Sequence, residues 1–93
     1  MRRLLLRTPA FARDLRNRLK SHPEEDAPIA VALELLSSDA AHSSLRTHKL
    51  RGPLAGCRAC SLGYDLRVVF EFVDDEGAEV ILLLALGTHD EVY

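Results

Sequence analysis

The sequence predicts an α+β domain, and three observations predict it. Apolar residues in the first half recur at helical spacing, in two runs separated by Pro23. The second half turns to strand patterning, with alternation or short apolar runs between Gly- and Asp-rich turns. The resulting order is one strand, two helices and then three or more strands. That order builds a largely antiparallel sheet with helices on one face.

The elements follow from the N-terminus. "RRLLLR" is a short apolar segment closed by Thr8-Pro9, and reads as a first strand. Thr8 can cap a helix with its side-chain oxygen, and Pro9 suits the first helical position. Phe11, Leu15 and Leu19 then fall four apart, so an amphipathic helix runs to about His22. "PEEDAPIAVALELLSSD" opens a second helix with acids at its positive end. Its apolar stripe is Ile29, Leu33 and Leu36, and Ser37 to Ser44 make a polar connector.

Gly52-Pro53 and Gly56 leave room for only a short strand in "LRTHKL". "CRACSL" follows as a strand, with a turn at Gly63-Tyr64-Asp65. "LRVVFEFV" alternates cleanly: Val68, Phe70 and Phe72 on one face, Arg67, Val69 and Glu71 on the other. "DDEG" turns the chain and "AEVILLLAL" is the last strand.

Ninety-three residues fit a single domain spanning 1–93. The formal charge of −2 excludes a globally basic nucleic-acid binder. The distribution says more than the sum. Between Leu45 and Arg67 stand Arg46, Lys49, Arg51, Arg58 and Arg67 against one acid, Asp65, so a basic stripe survives in an acidic whole. Neither a secretory leader nor a membrane span is expected: "RRLLLR" is too short, and no run nears the ~18 apolar residues a span needs. A cytoplasmic location and reduced cysteines are the resulting expectation.

Cys57-Arg58-Ala59-Cys60 has C-x-x-C spacing, but a structural zinc site needs four ligands and only one such pair exists. In an extended segment, residues three apart point to opposite faces. Two ordinary thiols and no metal are expected. Of the four histidines, His22 ends a helix and His42 lies in the connector, where both read as structural or solvated. His48 sits among Arg46, Lys49 and Arg51, cations that favour its neutral form and suit it to a general base. Arg67 opens a strand, and on a concave face its fork would match a phosphate. His89 and Tyr93, just past the last strand, could pack as a terminal plug or hold an acid.

As a set these residues are familiar. "THKLRGPLAGCRACSLGYDLRVVFEF" and the terminal "GTHDEVY" resemble the RelE/ParE superfamily of bacterial toxins, most of all the YafQ-like messenger-RNA endonucleases of type II toxin–antitoxin operons. The likeness runs from about Leu45 to Tyr93 and rests on H-x-L-x-G, G-x-R leading to D-x-R-V-V-F, and G-T-H-x-x-x-Y, in that order.

The resemblance implies two helices packed on a curved, mostly antiparallel, four-stranded sheet whose concave face holds RNA. It implies an endoribonuclease that cuts messenger RNA, typically on the ribosome, with no metal or other cofactor. On this reading His48 takes the 2′-hydroxyl proton, with Asp65 as competitor or orienting partner. Arg67 stabilises the phosphate and His89 protonates the leaving 5′-oxygen. Tyr93 stacks on a base or bonds the phosphate, while Lys49, Arg51 and Arg58 hold flanking phosphates. The partners implied are an antitoxin protein and messenger RNA.

Two positions depart from the family pattern. Ser61 stands where YafQ-like members often have a histidine, and Ala85 where they often have an arginine. The alternative reading is therefore a degenerate member that only binds its antitoxin.

Overall fold

The computed structural model describes residues 2–63 and 65–93. Strand β1 (Leu5–Arg7) leads into α1 (Pro9–Ser21) and, after a 3₁₀ turn at Pro23–Glu25, into α2 (Asp26–Ser38). The sheet continues with β2 (His48–Lys49), β3 (Arg58–Leu62), β4 (Leu66–Asp75) and β5 (Ala78–Thr88), and α3 (His89–Val92) ends the chain. The expected α+β plan is what forms. The turn expected at Gly63-Tyr64-Asp65 has Tyr64 outside the described residues.

Five strands are present where four were expected. Their order is β1-β5-β4-β3-β2, with β1 parallel to β5 and the other neighbours antiparallel. The four came from the family resemblance; β2 is the short strand read in "LRTHKL", and it pairs only His48 and Lys49 with Ala59 and Arg58. A 3₁₀ turn at Gly52–Leu54 begins three residues later, and Gly52 supplies its positive φ of 66°.

Thr8 caps α1 as its sequence context suggested. The Phe11 N–H donates to Thr8 Oγ1 at 3.1 Å, and the same hydroxyl donates to the Leu83 carbonyl at 2.8 Å. One side chain thus starts the helix and ties it to β5. Phe11, Ile29, Leu33 and Leu36 from the helices meet Cys60, Leu62, Val68, Phe70, Ile81, Leu83 and Leu86 from the sheet. Phe11 and Phe70 are fully enclosed, and truncating either to alanine is expected to cost about 3–5 kcal/mol.

One irregularity decides what the other face carries. Val69 pairs with Ala85 but Phe70 pairs with Leu83, so Leu84 is an extra residue in β5. Strict alternation from Leu83 would send Ala85 and Gly87 toward the helices. The bulge instead places Leu86 in the core and turns Ala85 and Gly87 to the opposite face of the sheet.

Candidate functional site

Two rows of residues cross the sheet face opposite the core, with Ala59 and Val69 buried and His48 exposed. The β2–β3–β4–β5 register aligns His48, Ala59, Val69 and Ala85, and the next row aligns Ser61, Arg67 and Gly87. His48 ends the first row and Arg67 stands in the middle of the second. Both positions that depart from the YafQ-like pattern, Ser61 and Ala85, lie in these rows.

The chain past β5 folds back over this region. Gly87 permits it, because a Cβ there would lie 3.1 Å from Glu91 Cβ and Oε1 and 3.3 Å from Val92 Cγ1. The Thr88 backbone N–H donates to Glu91 Oε1 at 2.8 Å, closing a single helical turn. Bonds from the Thr88 backbone and side chain hold the Glu91 carboxyl below its ordinary range, with Arg18 adding a smaller pull. His89 and Tyr93 then lie four apart on one face of the turn. Their rings meet edge to face at 4.6 Å between centroids.

Tyr93 joins the two histidines. Its hydroxyl lies 3.4 Å from His48 Nε2, and its ring is edge-on to the His48 imidazole at 6.4 Å. His48 Nδ1 is 3.1 Å from the carbonyl oxygen of Arg46. A carbonyl only accepts, so Nδ1 carries the proton and Nε2 offers its lone pair toward the phenol. Arg46 aims that carbonyl from a left-handed conformation, φ 50° and ψ 42°. Burial pushes the Tyr93 phenol above its ordinary value, against the opposing charge of Arg67. The hydroxyl therefore stays a donor at neutral pH.

Arg67 flanks this cluster. Its Nη1 donates to the Leu66 carbonyl at 3.1 Å, and the side chain lines a groove of about 850 Å³ with Ser61, Gly63 and Arg46 below α2. Arg51 shares a smaller cavity of about 370 Å³ with His48 and Tyr93.

Three expected site residues stand elsewhere. Asp65 was expected beside His48. It lines a different cavity with Arg18, His22 and Glu25, where Arg18 is bound by Glu25 at 2.6 Å. Since β4 begins at Leu66, Asp65 escapes the alternation that would have set it beside Arg67. Arg58 was expected on the RNA face, but its register partner Phe70 is a core residue of the helix-covered face. Its guanidinium lies over the Phe72 ring at 4.8 Å. Lys49 pairs with Arg58 and shares its side of the sheet.

The terminal turn, the clamp from Glu91 and the Arg46 carbonyl were missed in the sequence. Thr88-His89-Asp90-Glu91 does carry a readable signal, since T-x-x-E is a capping box. Nothing in the sequence marks Arg46 as left-handed. Cys57 and Cys60 are both free thiols. Among the described residues, no three His, Cys, Asp or Glu side chains gather as a metal site. No helix among them is long and apolar enough to cross a membrane.

Comparison with known proteins addresses the family and the fold. The family described as "Bacterial toxin of type II toxin-antitoxin system, YafQ" matches residues 3–93, so the likeness extends well beyond the second half. YafQ from E. coli strain BL21(DE3) superposes with a TM-score of 0.79 at 14% identity, over 98% of each chain. A copper-bound L66S mutant toxin from Helicobacter pylori gives 0.74 at 25% identity over the full length of both. The E. coli DinJ-YafQ toxin-antitoxin complex gives 0.76 at 15% identity, covering 100% of this chain and 99% of that one. A search of curated proteins finds no match.

Proposed function

The chain belongs to the YafQ family of toxins from bacterial type II toxin–antitoxin systems, and from that premise we propose that it is a metal-independent endoribonuclease that cuts messenger RNA on the ribosome. One observation carries the proposal: His48 and His89, brought from distant stretches, both meet Tyr93. Two imidazoles around one exposed point are what cleavage by an internal nucleophile needs.

The reaction follows from these groups. His48 Nε2 takes the proton of a ribose 2′-hydroxyl, displacing the Tyr93 hydroxyl that faces it in the free protein. The 2′-oxygen attacks the adjacent phosphorus and the bond to the 5′-oxygen breaks. His89 gives its proton to that leaving oxygen. The products are a 2′,3′-cyclic phosphate and a 5′-hydroxyl. Arg67 supplies positive charge as the phosphate gains negative charge. Asp65 takes no step in this scheme, because it lines a different cavity from His48 and Tyr93.

The proposed setting is the cytoplasm, where messenger RNA and ribosomes are. The proposed partner is a cognate antitoxin, as YafQ from E. coli has DinJ. The sheet face opposite the core would be what the antitoxin covers.

Ser61 beside Arg67 and Ala85 in the row of His48 favour a second reading. Short or apolar side chains there leave fewer groups for the phosphate, as in a module that only binds its antitoxin. Purified protein with ribosomes and messenger RNA separates the two. On the first reading His48→Ala and His89→Ala each lower cutting by roughly 10²–10⁴-fold. Arg67→Ala lowers it by roughly 10²–10³-fold. No cutting by the wild type, or equal cutting by wild type and the double histidine variant, rejects it.

A further inference from the structure

Arg51 makes no salt bridge among the described residues and stands in the 370 Å³ cavity with His48, Leu50, Pro53, Leu54 and Tyr93. The lining is unsuited to a phosphate. Leu50, Pro53 and Leu54 are apolar, and they would strip water from an anion without replacing its hydrogen bonds. A flat, partly apolar ligand fits better. Tyr93 offers an aromatic face, the apolar side chains a wall, and Arg51 a planar fork of donors at the rim.

We propose that this cavity is a nucleobase pocket in which Arg51 reads guanine. The inference rests on the endoribonuclease reading and moves Arg51 from a phosphate contact to a specificity-determining residue. An arginine only donates, so it needs two neighbouring acceptors to engage both arms. Guanine presents them as O6 and N7, whereas adenine pairs its N7 with an amino donor. His48 fixes which nucleotide enters. It lines the same cavity and receives the 2′-hydroxyl proton, so the base belongs to the ribose that attacks. Cuts therefore fall immediately after guanosine, leaving guanosine 2′,3′-cyclic phosphate at the new end.

The fold places the pocket by a local device. Gly52, at φ 66°, turns the chain so that Pro53 and Leu54 return toward the Tyr93 ring. Arg51 is exposed, so replacing it does not open the core.

The test maps cut sites on ribosome-bound messenger RNA for wild type, Arg51→Lys and Arg51→Gln. In parallel, the binding of non-cleavable 2′-deoxy trinucleotides with guanine or adenine at the cut position is titrated. Wild type is expected to favour guanine by roughly 5- to 150-fold, the range of one bidentate arginine–guanine pair. Arg51→Lys still donates to O6 and N7 and keeps a reduced guanine preference, whereas Arg51→Gln, which suits adenine N6 and N7, removes or reverses it. A wild type with no guanine preference, or an Arg51→Gln variant that loses cutting equally at every site with the ratio intact, overturns the proposal. Absence of cutting alongside guanine-selective binding that Arg51→Gln abolishes upholds the pocket and removes only the catalytic reading.

Discussion

The hydroxyl of Tyr93 lies 3.4 Å from Nε2 of His48, across 45 positions of sequence. The Arg46 carbonyl holds the proton on the other ring nitrogen, so the phenol is the donor and Nε2 the acceptor. The same ring packs edge-on against His89. Tyr93 therefore has two separable jobs, one in its oxygen and one in its ring.

Substitution can divide them. Tyr93→Phe keeps the ring and loses a single exposed hydrogen bond, worth about 0.5–1.5 kcal/mol at most. Because substrate displaces that bond from Nε2, cutting of a defined messenger RNA should stay within roughly two- to twelvefold of the wild-type rate, the same energy expressed as a rate. Tyr93→Ala removes the ring that His89 leans on and should fall further. Equal rates for the two variants would mean that the ring positions nothing.

Gly87 tests the terminal turn. An alanine Cβ there would press within 3.1 Å of Glu91 and 3.3 Å of Val92. Overpacking of this kind costs about 1–3 kcal/mol. The damage should be local, since Gly87 lies at the end of β5 while the core is anchored by Phe11, Phe70 and Leu83. Thermal unfolding of Gly87→Ala should drop by several degrees while cutting falls much more steeply than stability. A variant with full cutting and lowered stability would sever the turn from the reaction.

How far the sequence went can be judged residue by residue. Thr8-Pro9 and the Phe11, Leu15, Leu19 spacing located α1 because capping and periodicity are local. The alternation in "LRVVFEFV" sorted Arg67 from Val68 for the same reason. "VILLLAL" was opaque, because an unbroken apolar run carries no mark of which residue bulges. Leu84 nevertheless decides that Gly87 faces the site. The surroundings of Asp65 were not legible, because the cavity it lines with Arg18, His22 and Glu25 joins elements far apart in sequence. His48, His89 and Tyr93 were singled out by their surroundings and given roles by the family motifs, and only the fold gives their mutual distances.

The cysteines give a chemical check on the core. Cys60 is fully enclosed, and burial pushes its thiol up to about 12. Cys57 is half-buried and outside the core cluster. Since the thiolate is the reactive form, alkylation of the native protein at about pH 8 should label Cys57 alone. Denaturant should release the second thiol, and mass spectrometry of the modified peptides reads both results. Rapid native labelling of Cys60 would contradict its place between β3 and the helices.

Glu91 sets the pH dependence of the terminal turn. Bonds from the Thr88 backbone and then its side chain lower the Glu91 pKa from an ordinary 4.5, with desolvation opposing and Arg18 adding a small pull. A depressed carboxylate stabilises the fold fully above its unfolded pKa, and that contribution disappears as pH falls through the folded value. The turn should thus be firm at neutral pH and loosen only in acid, below the ordinary carboxylate range. Glu91→Gln keeps an acceptor for the Thr88 N–H but cannot titrate. Wild type should be the more stable at about pH 7, and the difference should shrink toward zero as the carboxylate protonates. Denaturation curves of the two proteins across that range measure it, and the Tyr93 ring signals follow whether His89 and Tyr93 separate. A stability difference that stayed constant down to acid pH would show that the charge of Glu91 does not hold the turn.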